Sequence, residues 1–373
     1  MPTPVIGAEK TFDKSNLKIL DTFRGFAALY VLAGHARWLL WEGYNAGYKL
    51  HPTSYNIVDK VLMYFFSIFQ FGNQAVLFFF ILSGFVIHWS TSNRVYKVGK
   101  LEVWDYLCRR CKRIYPPLLM AIILTYVVDK IGLTHHLPVY FSHTLYPSIN
   151  ENIHPVLNLK TLLGNLTFLQ TVYTPVWGTD GPMWSLMYEW WFYLLYIPIF
   201  WLFRKNKVLT TSVVLIAGSI SAIYPFKPLL ISLVLTNFIT WYMGMLLADV
   251  LMDKKRDVKT AIINLTLILL TTILIYKSVG SSILLAVSIV YLLYISLTTN
   301  IAAFMKNYHK LAEFSYTLYI VHVPIICLIS GYIMTKNNQH LPMHSYFIVC
   351  GIIFCIAIAW LLHLVCERPF VKK

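Results

Sequence analysis

The chain has 373 residues, of which 58% are hydrophobic and only 13% charged, and its mean hydropathy is +0.62. Soluble domains carry roughly 45–50% apolar and about 25% charged residues, so this composition excludes an ordinary cytosolic enzyme, a secreted disulfide scaffold and a disordered chain. The net charge of +15 then reads as loop charge on a polytopic membrane protein, with the lipid bilayer as its surroundings and no nucleic-acid partner.

Residues 1 to about 16 are polar and the first apolar stretch is too long for a signal-peptide core, so no cleavable signal is expected. Ten stretches have the length to cross a bilayer: about 17–40, 72–92, 114–132, 183–203, 208–225, 228–251, 260–277, 280–299, 313–335 and 343–366. Two further segments read as peripheral. Residues 57–71 form an outer amphipathic segment or an extension of the second span, and 159–172 is interfacial or re-entrant. The expected fold is all-α, with about ten transmembrane helices and both termini cytoplasmic. It forms a single membrane domain over 1–373, whose largest outer loop is about 133–182. With that orientation, 22 of the 31 Lys and Arg fall on the cytoplasmic side, as the positive-inside rule requires.

The six cysteines show no paired spacing suited to disulfides. Cys108 and Cys111 form a C-x-x-C with no second Cys or His pair, and His135, His136, His143 and His154 are scattered along the outer loop. No metal site is expected.

Ionisable side chains inside spans are costly and mark function. The first span carries Arg24 and His35, eleven residues apart. Eleven residues are about three helical turns, so both point to one face, separated by roughly 16 Å along the axis. The fourth span begins GPMWSLMYEWW, which puts Glu189 about as far below the outer surface as His35. A neutral imidazole beside a carboxylate suits general-base catalysis; the other reading is an interhelical hydrogen bond with Trp184, Trp190 and Trp191 as an interfacial belt. Ser83-Gly84 in the second span reads as a packing site and His88 as structural.

Before the third span, Arg109, Arg110, Lys112 and Arg113 form a dense cationic cluster, followed by Pro116-Pro117, where a kink or helix start is expected. The cluster is either a positive-inside anchor or a polyanion site, since guanidinium groups bind phosphate bidentately. His322 lies near mid-depth in the ninth span, and Glu367-Arg368 closes the tenth, in position to pair with the basic cluster. Cations inside, Arg24 part-way through, and a histidine with a carboxylate near the outside would suit a long anionic donor such as acyl-coenzyme A, entering from the cytoplasm. A hydroxyl on the other side would then attack its thioester.

The residues Arg24-x10-His35, GNQAVLFFFILSGFVI at 72–87, RRCKRIYP at 109–116, WSLMYE at 184–189, SYTLYIVHVP at 315–324 and ERP at 367–369 resemble, in order and spacing, the successive motifs of the membrane acyltransferase-3 family, the bacterial glycan O-acyltransferases. The resemblance implies ten helices in the bacterial inner membrane, acyl-CoA as cytoplasmic co-substrate with no permanently bound cofactor, and an extracytoplasmic glycan acceptor such as O-antigen, exopolysaccharide or capsule. It implies His35 as catalytic base or acyl carrier and Glu189 as a carboxylate at the active site. Arg24, Arg110 and Arg113 would hold the donor, and Trp184 and Ser185 of the WSL motif would face the substrate. No esterase-like SGNH domain is expected after the tenth span, which would be similar to stand-alone members. Acetyl is the expected acyl group, with succinyl or longer chains and other acceptors (periplasmic glucan, peptidoglycan, lipid, antibiotic) as alternatives. A proton-coupled transporter or flippase is the competing class, but the inverted repeats common in transporters are not found.

Overall fold

The computed structural model describes residues 14–252, 266–268, 281–299 and 301–370. Its helices are α1 (Leu17–Leu39), α2 (Ile57–Ser67), α3 (Gly72–Val98), α4 (Val103–Thr134), α5 (Pro147–Asn152), α6 (Leu159–Leu166), α7 (Trp184–Lys205), α8 (Lys207–Ile223), α9 (Leu229–Met252), α10 (Ser281–Thr298), α11 (Ser315–Lys336) and α12 (Tyr346–Cys366). Among the described residues there is no strand, only an isolated bridge between Gln170 and Thr174. By length and composition, 7 helices among the described residues can cross a membrane; together they make an all-α, multi-pass membrane protein. Helix α8 is shorter, at 17 residues, and α1 carries Lys18, Asp21, Arg24 and Arg37 within its 23 residues. The expected span at 260–277 lies largely outside the described residues.

Helix ends follow local chemistry. Asn56, Asn158 and Asn206 cap α2, α6 and α8 by accepting from Asp59, Thr161 and Leu209 amides at 2.8, 2.8 and 2.9 Å. Gly99, left-handed at φ 87°, ends α3. One boundary differs from the sequence reading. Helix α4 starts at Val103, eleven residues ahead of the expected span, and runs straight through Pro116 and Pro117. The basic cluster is therefore helical, and the prolines sit inside the helix, where each removes a backbone donor.

Helices α3 and α9 pack backbone to backbone. Gly84 faces the Trp241 carbonyl oxygen and Gly244 the Ile81 carbonyl oxygen, and a Cβ at either would collide with main chain. Trp241 Nε1 donates to Ser83 Oγ at 3.1 Å, so the Ser-Gly pair is a packing site. His88 is buried and bonded to the Tyr196 hydroxyl at 3.0 Å, with Asp249 at 3.9 Å. Helix α2 exposes Ile57, Val58, Val61 and Tyr64 and buries Met63 and Phe66, the pattern of a helix lying along an apolar boundary. In the loop that follows α4, His135 packs on Tyr332, His136 stacks on Phe141, and His154 bonds Ser142. The most enclosed spanning helix is α11, which packs on α1, α4 and α12.

Candidate active site

A 3₁₀ segment, Ala303–Ala312, lies along α1 and leads into α11. Thr22 Oγ1 donates to the Met305 carbonyl oxygen at 2.6 Å, and Gly25 packs so closely on this segment that a Cβ would stand 2.5 Å from Leu311 Cβ. Arg24 Nη2 donates to the Ala312 carbonyl oxygen at 3.3 Å. Farther along, His35 Nδ1 meets His322 Nε2 at 3.1 Å, and Ser330 Oγ donates to the Leu39 carbonyl oxygen at 2.5 Å. Contacts thus advance together along both chains, so α1 and α11 run parallel, with α11 beginning beside Gly25 instead of beside the start of α1.

The two histidines have a defined proton arrangement. His322 Nδ1 lies 3.0 Å from the Leu318 carbonyl oxygen, which can only accept, so Nδ1 is assigned the proton and Nε2 a free lone pair. His35 Nδ1 faces that lone pair and also the Val31 carbonyl oxygen at 3.0 Å. Both partners accept, so His35 Nδ1 is assigned its proton too, and His35 Nε2 is left as a bare base. His322 is fully buried and His35 half-buried. The Trp38 and Tyr319 rings lie 6.1 Å from His35 and 6.2 Å from His322.

The pairing of His35 with Glu189 expected from depth does not form. Glu189 accepts from the Tyr193 hydroxyl and lies within electrostatic reach of Arg24, Arg113 and Tyr316. It belongs to a charged layer below the histidines. Arg24 forms an ion pair with Asp21 at 3.4 Å. Arg113 sits 6.0 Å from the Tyr316 ring centre, and Arg110 sits 5.2 and 5.6 Å from the Tyr106 and Tyr193 rings. Arg109 is diverted to Asp105, which also binds Arg94 at 2.8 Å, and Lys112 is exposed. Glu367 accepts from Thr317 Oγ1 at 2.8 Å and the Thr317 amide at 3.3 Å, and His363 Nδ1 lies at 3.4 Å. Burial alone would raise the Glu367 carboxyl; the His363 contact, the Arg113 charge and the Thr317 hydrogen bonds outweigh it and hold the carboxyl below its ordinary value. The ion pair expected between Glu367 and the basic cluster is not formed among the described residues: Glu367 pairs with His363, and Arg113 acts on it only through its charge.

This layer combines Arg24, Arg110 and Arg113 with the carboxylates of Asp21, Glu189 and Glu367, so its fixed charges balance while some of its donors stay unused. Three of its buried donor atoms, Arg24 Nε, Arg110 Nε and the Tyr316 hydroxyl, have no hydrogen-bond partner among the described residues. Donors without acceptors suit an anion. Tyr316, Tyr319 and His322 follow one another at three-residue steps along α11, so the charged layer and the histidines lie about 9 Å apart on that helix.

Ser185 touches the histidine layer indirectly. Its Oγ pairs with the Tyr319 hydroxyl at 2.9 Å and donates to the Pro182 carbonyl oxygen at 3.2 Å. Trp184 is half-buried, edge-on to Tyr188 at 5.7 Å. Just before them, Asp180 is fully buried with both carboxyl oxygens unpartnered among the described residues. Burial, reinforced by Asp129, raises its carboxyl well above the ordinary value.

Of the residues singled out from sequence, Arg24, Arg110, Arg113 and Glu189 gather in one layer, His35 lies in the next, and Ser185 joins that layer through Tyr319. Sequence reasoning missed the partner, His322, although it noted a histidine inside a span. An intramembrane imidazole on a helix parallel to α1 was the available signal. No curated protein and no solved structure matches this chain. A family model described as an acyltransferase domain, that of the acyltransferase-3 family, matches residues 17–364. With that match over nearly the whole chain, and the family's motif residues gathered into two adjoining layers, the chain belongs to the acyltransferase-3 family and is an acyltransferase of the membrane.

Proposed function

We propose that this protein moves an acyl group, acetyl in the first instance, from cytoplasmic acyl-CoA to a hydroxyl of an extracytoplasmic cell-surface glycan such as O-antigen, exopolysaccharide or capsule. It does so from the bacterial inner membrane, with ten spans and both termini in the cytoplasm. The observation that carries the reading is the stacking of a bare imidazole base directly beyond a layer of arginines with unused donors. Arg24, Arg110 and Arg113 hold the phosphates and the pantetheine arm, and the thioester reaches His35. Glu189 and Glu367 keep these guanidinium groups apart and in place. Trp184 and Ser185 line the approach of the acceptor.

In the reaction, His35 Nε2 takes the proton of the acceptor hydroxyl as its oxygen bonds to the thioester carbonyl carbon. The C–S bond breaks, and the coenzyme A thiolate leaves with the proton that His35 gives back. Atoms and charge balance without a redox partner. The uneven distribution of Lys and Arg supports the orientation, and the family supports the acyl chemistry.

Sealed vesicles carrying the purified protein test the vectorial part. Labelled acetyl-CoA is supplied outside and a crude polysaccharide is enclosed. Label on the enclosed polysaccharide, from the protein molecules whose basic cluster faces outward, is the expected result. Label appearing only when donor and acceptor share a compartment would overturn the transmembrane path.

A further inference from the structure

His322 has no place in the bond-making steps above. We propose that it is a positioning residue for His35: its Nε2 holds His35 in the Nδ1–H form, leaving Nε2 as the base, and shares the positive charge that His35 gains when it accepts a proton. This rests on the reading of His35 as the base of acyl transfer.

The geometry is directional. The Leu318 carbonyl oxygen fixes the His322 Nδ1 proton at 3.0 Å. His322 Nε2 can then only accept, and what it faces at 3.1 Å is His35 Nδ1. Reversing either ring would set a proton against a proton or a lone pair against a carbonyl oxygen. The Val31 carbonyl oxygen shares the same His35 proton, but it is an amide acceptor on α1 itself, whereas an imidazole nitrogen is the more basic acceptor and can take up part of a proton's charge. Once His35 is an imidazolium, its Nδ1–H bond to His322 becomes charge-assisted and strengthens. The pair is sheltered by the Tyr319 and Trp38 rings, and Cys355 Sγ approaches the His322 carbonyl oxygen at 3.9 Å. In such surroundings a hydrogen bond gains strength. Packing alone does not call for a histidine here. His322 is wholly buried in the most enclosed spanning helix, where an aliphatic side chain would fill the space without a polar group to desolvate.

The test uses the full-length protein in nanodiscs, ¹⁵N-labelled at histidine, with His322→Leu and His322→Gln. Solid-state NMR separates protonated from bare ring nitrogens, with His35→Ala assigning the signal. Coenzyme A release from acetyl-CoA reports turnover. In the wild type, His35 is expected to carry its proton on Nδ1, with Nε2 bare. His322→Leu should lower kcat by about 100-fold, the low end for general-base assistance, with KM for acetyl-CoA unchanged. His322→Gln, whose Oε1 can accept the same proton, should restore kcat to within about tenfold of wild type. A proton on His35 Nε2 in the wild type, wild-type turnover in His322→Leu, or equal losses in both variants matched by equal losses of thermal stability would each overturn the proposal. A wild type that releases no coenzyme A would instead remove the acyl-transfer reading, and the spectrum would still decide whether the histidines are arranged as described.

Discussion

Gly25 sets the register on which the site depends, and Gly25→Ala is its sharpest test. The added Cβ would stand 2.5 Å from Leu311 Cβ, 2.8 Å from the Leu311 carbonyl carbon and 3.1 Å from the Ala312 nitrogen. Two of these three are main-chain atoms, so no rotamer change relieves the overlap, and the Ala303–Ala312 segment must move away from α1 by most of an ångström. Overpacking of this kind costs about 1–3 kcal/mol. The same shift stretches the Arg24 to Ala312 hydrogen bond, already 3.3 Å long, and carries the start of α11 away from α1, ten residues before His35 meets His322. Misplacement by about 1 Å can cost about 100-fold in rate. We expect Gly25→Ala to lower the thermal midpoint, followed by tryptophan fluorescence, and to reduce coenzyme A release much more than its stability loss explains. Gly72→Ala is the control, because a Cβ there meets nothing within 4 Å. A Gly25→Ala protein with wild-type midpoint and wild-type turnover would refute the register as drawn.

Three other expectations follow from the charged groups. Glu189→Gln should raise KM for acetyl-CoA while leaving the tautomer of His35 unchanged in the ¹⁵N spectrum, since Glu189 contacts Tyr193 and neighbours Arg24 and Arg113; a changed His35 signal would restore a direct pairing. Thr317→Val removes a 2.8 Å hydrogen bond to Glu367 and should cost about 1.5–3 kcal/mol at pH 7. The lowered Glu367 carboxyl stabilises the fold above its unfolded value and loses that contribution as pH falls, so the gap between wild type and Thr317→Val should narrow toward pH 4; a constant gap in thermal midpoint would argue against it. Asp180 has the opposite sign. Its raised carboxyl keeps a proton that the unfolded chain releases above about pH 4, so its contribution to stability falls as pH rises. Asp180→Asn should therefore stabilise the protein more at pH 8 than at pH 4.5, and a gain independent of pH would contradict the burial of an unpaired acid.

Much of the bundle was legible because spanning length and continuous hydropathy are strong one-dimensional signals. The helices α3, α9, α11 and α12 start or end within a few residues of the expected stretches. What failed was physical depth. Counting residues from helix ends puts Glu189 and His35 at one level, but that count assumes that every helix starts at the membrane surface. Helix α11 starts part-way along α1, because the Ala303–Ala312 segment fills the lower half of that face, and this brings His322 level with His35. Helix α4 was cut short for a related reason. Charged and proline residues read as a break, yet Asp105, Arg109 and Arg94 satisfy one another along helix surfaces, and Pro116 and Pro117 are carried within a helix of 32 residues. The Arg24–His35 relation survived because it rests on angular spacing within one helix, which no neighbour alters.

The central claim is that His35 performs the acyl transfer with a donor held by the arginine layer. Its most direct test is transfer of label from radiolabelled acetyl-CoA in nanodiscs, following both coenzyme A release and label on a crude polysaccharide, for wild type, His35→Ala and Arg24→Ala. The account predicts transfer by the wild type, none by His35→Ala with acetyl-CoA binding retained, and weakened binding in Arg24→Ala. Turnover that is indifferent to His35 would contradict it.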